Sequence, residues 1–157
     1  MTMNESRALQ SLPHGVEFRF IDRLLNLEPG ESGVAEYALR GDEPFLRGHF
    51  PGRPLMPGVL LLEAAAQLAG IVSQSDPKVP PMPGLKLTAV RGAKILGTAR
   101  PGEVIRLEAR VVGRLNHLVH AQASASVNSR LVLETELTLS GDAEVLDQIR
   151  SKTSSAS

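Results

Sequence analysis

Apolar and polar positions along this chain follow two rhythms. In residues 105–111, Ile105, Leu107, Ala109 and Val111 alternate with Arg106, Glu108 and Arg110, the period of a strand with one face buried and one in water. Val119, Ala121, Ala123, Ala125 and Val127 alternate in the same way with His120, Gln122, Ser124 and Ser126. Asn128-Ser129 then turns the chain into a third strand that places Leu131, Leu133, Leu137 and Leu139 on one face. Upstream, residues 33–40 read as a strand behind a Glu28-Pro29-Gly30-Glu31 turn, and residues 85–96 as an extended segment of weaker pattern. Within residues 17–27, Phe18, Phe20 and Leu24 are expected to face inward.

The second rhythm belongs to residues 57–73, predicted as one helix with Pro57 at its start, where a missing N–H costs nothing. It is apolar almost all round and its one charged residue is Glu63, so it is expected to be buried. Residues 41–56 and 76–84, rich in Pro and Gly, read as loops, and residues 142–150 as a short helix ahead of a disordered polar tail. Hairpin-linked strands with one wet face, beside one long apolar helix, predict an α+β fold: an antiparallel β-sheet wrapped around the central helix. Alanine recurs on the inner face of the second strand and in the helix at Ala64, Ala65, Ala66 and Ala69, which lets the two approach closely.

The 157 residues suit a single domain. Lys plus Arg equals Asp plus Glu at 17 each, so no global field points to nucleic acid or an acidic membrane. The chain has no cysteine, which excludes disulfides and thiolate chemistry. No segment reads as a leader or approaches the roughly 18 apolar residues of a membrane span, so a soluble, cytoplasmic protein is expected.

The chemistry gathers on and before the helix. The neighbours of Glu63 at helical spacing are Val59, Leu60, Ala66, Gln67 and Gly70, and of these Gln67 is the polar one, placed to hold the carboxyl group. Burial disfavours a charged carboxylate, which suits Glu63 to donate a proton. His49 sits in a loop restricted by Pro51, Pro54 and Pro57, and imidazole suits proton acceptance at physiological pH. Gly58 and Val59 open the helix, where free N–H groups can hold a carbonyl oxygen. A base, an acid and an N–H donor match loss of water beside a thioester: His49 takes the C2 proton and Glu63 protonates the leaving C3 hydroxyl. His14, His117 and His120 acquire no chemistry, and no ligand spacing predicts a metal.

Leu12-Pro13-His14, Glu43-Pro44-Phe45 and the run GHFPGRPLMPGVLLLEAAAQLAG over residues 48–70 resemble the (3R)-hydroxyacyl-[acyl-carrier-protein] dehydratases of the FabZ type. The resemblance is specific over residues 12–70 and looser to residue 141. It implies the hotdog fold over residues 12–141, a flexible segment before it at 1–11, and a short helix and tail at 142–157. It implies that His49 and Glu63 are catalytic, that the Gly58 N–H, beside Val59, binds the thioester carbonyl, and that Gln67 supports the acid. It implies an acyl carrier protein as partner, no cofactor beyond the carrier's phosphopantetheine, and a homodimer or trimer of dimers with sites shared between subunits. A hotdog thioesterase and a non-catalytic carrier-binding subunit are the alternatives. Residues 93–103, AKILGTARPGE, depart from the family's basic and aromatic KFRRPVVPGD run, which bears on carrier contacts and tunnel lining rather than on the proton chemistry; Arg47, Arg53, Lys94 and Arg100 are the candidate cations for an acidic carrier or its phosphopantetheine phosphate.

Overall fold

The two rhythms separate into a sheet and a helix. The computed structural model describes residues 3–154. In chain order the elements are α1 (Met3–Gln10), a 3-10 turn (Val16–Phe18), β1 (Arg23–Glu28), β2 (Ser32–Ala38), a second 3-10 turn (Pro44–Leu46), α2 (Gly58–Gln74), β3 (Lys86–Ile95), β4 (Val104–Leu115), β5 (Leu118–Val127), β6 (Arg130–Ser140) and α3 (Ala143–Ser154). The strands form one six-stranded sheet in the order β1-β2-β4-β5-β6-β3, every neighbouring pair antiparallel.

Helix α2 lies across the inner face of this sheet and packs against β2, β3, β4, β5 and β6. Ile105, Leu107 and Ala109 of β4 and Val119, Ala121, Ala123, Ala125 and Val127 of β5 are buried as the alternation predicts. Small residues make the approach close: Ala64, Ala65 and Ala69 are fully covered, and a methyl group placed on Gly33 of β2 would stand 2.7 Å from Cγ2 of Val72.

Some expectations are corrected. Leu131 is 40% exposed whereas Val132 is buried, because a β-bulge between β5 and β6 pairs Ala125 with Leu133 and Ser126 with Leu131, leaving Val132 as the extra residue. Phe18, expected to face inward, lies in a 3-10 turn and is 47% exposed, while Phe20 and Leu24 are buried. Helix α2 starts at Gly58, with Pro57 as its cap, and ends at Gln74. The segment expected to be flexible before residue 12 carries α1, and the helix expected over 142–150 continues to Ser154, into the tail; residues 155–157 lie outside the described ones.

Candidate active site

A buried polar network seats the loop that carries His49. Glu43 receives the N–H groups of Arg40 (2.7 Å) and Gly41 (2.7 Å) and the hydroxyl of Tyr37 (3.3 Å). Burial pushes the Glu43 carboxyl up, but these donors outweigh it and hold the group below its ordinary value. The burial of Tyr37, and then the charge of Glu43, raise the Tyr37 hydroxyl well above its usual range, so it stays a donor. The Met56 N–H donates to the carbonyl of Ala99 at 2.9 Å and anchors the loop's far end.

Within that loop, His49 Nδ1 lies 2.9 Å from the carbonyl oxygen of Leu55. A carbonyl only accepts, so Nδ1 carries the hydrogen, and in the neutral ring the lone pair a base needs is then on Nε2. The ring meets Phe50 edge-on with centroids 4.8 Å apart, and Phe50 holds a left-handed backbone at φ 57°. A non-glycine residue there costs on the order of 1–3 kcal/mol, a strain often found beside functional groups.

Pro57 begins α2 by accepting the N–H groups of Leu60 (2.9 Å) and Leu61 (3.2 Å) at its carbonyl. The N–H groups of Gly58 and Val59 have no acceptor among the described residues and stand open, as the first turn of a helix dictates. Gly58 is also where side-chain space is missing, since a methyl group there would meet Cδ1 of Ile95 at 2.6 Å. Val59 is 67% exposed beside it.

One turn further on, Glu63 is half-buried, its side chain 23% exposed. The sequence expectation of full burial is therefore met only in part in a single protomer. Gln67, 2% exposed, is fully engaged. Its Nε2 donates to Glu63 Oε1 (3.1 Å) and to the carbonyl of Phe18 (2.8 Å), and its Oε1 accepts the N–H of Phe20 (2.9 Å). His14, to which sequence reasoning assigned no chemistry, also reaches the acid: its Nε2 is 3.2 Å from the same Oε1. Its ring stacks on Phe18 and its carbonyl receives Nη2 of Arg19 at 3.2 Å. Two nitrogens thus converge on Oε1 rather than on Oε2.

Glu63, Gln67 and His14 stand at one end of a cavity of about 610 Å³ that runs along α2. His49, Gly58 and Val59 do not line it. A second cavity, about 410 Å³, lies beside the His49 loop between Phe50, Arg53, Leu55 and Arg100. Of the candidate docking cations, Lys94 is tied to Glu134 at 2.8 Å, whereas the guanidinium groups of Arg53 and Arg100 form no ion pair among the described residues, the Glu103 carboxylate taking only the backbone N–H of Arg100.

An antiparallel sheet curled around one apolar helix in this way is the hotdog fold. Among solved structures, the chain is similar to one in the dehydratase heterocomplex ApeI:P from Xenorhabdus doucetiae, with a TM-score of 0.74, 16% identity, and 92% of this chain and 97% of that one covered. It is also similar to zebra fish thioesterase superfamily member 2, with a TM-score of 0.64, 16% identity, and 87% and 92% covered. At such identity these likenesses fix the fold. The model of the FabA-like domain family matches residues 12–136, and the chain belongs to that family. It is 37% identical to the 3-hydroxyacyl-[acyl-carrier-protein] dehydratase FabZ of Chloroflexus aggregans over 137 residues, covering 87% of this chain and 93% of the relative. The protein of the same description from Thiobacillus denitrificans is 36% identical over 137 residues, covering 86% and 94%.

Proposed function

We propose that this chain dehydrates (3R)-hydroxyacyl groups carried on acyl carrier protein to trans-2-enoyl groups, in fatty acid synthesis. The observation that carries the reading is the opposite preparation of its two proton-handling groups. The Leu55 carbonyl occupies Nδ1 of His49 and leaves Nε2 open to accept. Gln67 and His14 occupy Oε1 of Glu63 and leave Oε2 to hold and deliver a proton. With the thioester oxygen held by the Gly58 N–H, His49 Nε2 removes a C2 proton, the C2–C3 double bond forms, and the C3–O bond breaks. Glu63 Oε2 gives its proton to the departing hydroxyl, which leaves as water. His49 then returns its proton, and Glu63 regains one, through solvent. The elimination step itself uses only side chains and backbone of the protein.

The two halves come from different protomers in this reading. Supporting it, the cavity that Glu63 lines excludes His49 and Gly58. Strand β3 is a sheet edge exposed along nearly its whole length, and Val90, Ile95 and Leu96 on and just beyond it face outward at 42%, 54% and 55%. Such an edge invites a second copy. Arg53 and Arg100, beside the His49 loop, suit the phosphate of a carrier's phosphopantetheine arm. No helix among the described residues is long and apolar enough to cross a membrane.

The test supplies a (3R)-hydroxyacyl carrier substrate and follows the enoyl product for wild type, His49→Ala and Glu63→Gln. Each variant is expected to lose most turnover, by roughly 10²-fold or more, and a mixture of the two to recover part of it. Full activity in either variant defeats the role assignment, and release of free carrier without enoyl product makes the protein a thioesterase.

A further inference from the structure

The cavity beside α2 has a far end as well as a catalytic one. Along the helix it is lined by Glu63, Ala66, Gln67, Gly70, Ile71 and Gln74, a single face at three- and four-residue spacing. Glu63, Gln67 and His14 make one end polar, and away from the helix Leu85, Leu87 and Leu139 line it together with Lys86. At the far end Gln74 and Met82 lock together. Nε2 of Gln74 donates to the Met82 carbonyl (2.7 Å), and the Met82 N–H donates to Gln74 Oε1 (2.8 Å). Met82 is 8% exposed and its Cβ packs closely on Gly141, 2.9 Å from where a methyl group there would stand. The loop that carries it, residues 76–84, contains four prolines and is stiff for that reason. Midway, Gly70 leaves a gap: a methyl group there would meet nothing closer than Cδ2 of Leu85 at 3.9 Å.

We infer that Gly70 and Met82 set the length of acyl chain this enzyme accepts, Gly70 by keeping the channel open at its midpoint and Met82 by closing it. The inference rests on the dehydratase reading above. From Glu63 to Gln74 the helix advances eleven residues, about 16 Å, and a zigzag of C–C bonds of about 1.5 Å advances about 1.3 Å per carbon, so roughly a dozen carbons beyond C3 reach Met82. From Glu63 to Gly70 the same arithmetic gives about 10 Å, or roughly eight carbons. A bulky side chain at residue 70 therefore excludes medium and long chains, and a smaller one at residue 82 admits longer ones.

The experiment measures kcat/KM for 3-hydroxyacyl thioesters of four, eight, twelve and sixteen carbons with wild type, Gly70→Leu and Met82→Ala. In Gly70→Leu the twelve-to-four-carbon ratio is expected to fall at least about tenfold, since burying or rejecting even one methylene discriminates by roughly 10–200-fold. In Met82→Ala the sixteen-to-twelve-carbon ratio is expected to rise. An unchanged ratio in both variants overturns the inference, as does a uniform loss at every length in folded protein. Calorimetric binding of saturated acyl thioesters of the same lengths separates this from the reaction itself. If wild type makes no enoyl product yet binding shows the same length dependence, the dehydratase reading fails and the channel assignment stands; length-independent binding removes the channel assignment.

Discussion

Two nitrogens on one carboxylate oxygen give Glu63 a direction as well as an environment. Gln67 is four residues away on the same helix and was legible in the sequence as its partner; His14 stood out only through the Leu12-Pro13-His14 motif, and its contact was not legible because it reaches Glu63 across 49 residues of chain. As a positioning residue, His14 should show its effect in turnover more than in binding. His14→Ala is expected to lower kcat by about ten- to a hundredfold with KM little changed, and His14→Gln, which keeps a donor, to restore part of the loss. A fall in KM affinity with kcat intact would assign His14 to substrate binding instead. At Glu43 the residue-scale consequence is one of pH. Its folded value lies below the ordinary one, so the stability it contributes is complete above the usual carboxylate range and disappears as pH falls through the folded value. Glu43→Gln is expected to lose about 1–3 kcal/mol near pH 7, measured by urea unfolding, and the gap from wild type to narrow as the buffer is made acidic.

Among the elements, legibility followed burial. Strands β4 and β5 lie against α2 and show it in strict alternation, whereas β3, at an edge with both faces largely open, has no face for hydrophobic residues to mark. Alternation failed at Leu131 because a bulge adds one residue, a backbone event that side-chain type does not announce. Helix α1 has only Ala8 and Leu9 packed on the core among its described side chains, too few to give a period. The tight seat of α2 on β2 is an element-scale property. Gly33→Ala forces its methyl onto the fully buried Val72 and is expected to cost about 1–3 kcal/mol. Equilibrium denaturation measures this, and an unchanged midpoint would show that α2 can lift away from the sheet.

At the scale of the whole molecule, fold and catalytic constellation answer to different parts of the chain. The sheet and α2 come from residues 23–140, where β2, β4, β5, β6 and α2 were readable from their patterns, β3 only weakly and β1 not as a strand. The acid is aimed by Gln67 only while Gln67 also grips the carbonyl of Phe18 and the N–H of Phe20, contacts 49 and 47 residues apart in sequence. That grip is made just ahead of β1, the marginal strand of the sheet, beside the exposed Phe18, and although Phe20 itself is buried, a sheet margin opens at lower free energy than its centre. Aim and architecture are thus held by fastenings of unequal strength. In rising urea, catalysis should fade while the circular dichroism of the sheet is still intact, with the enzyme disarmed from its leading end before it comes apart.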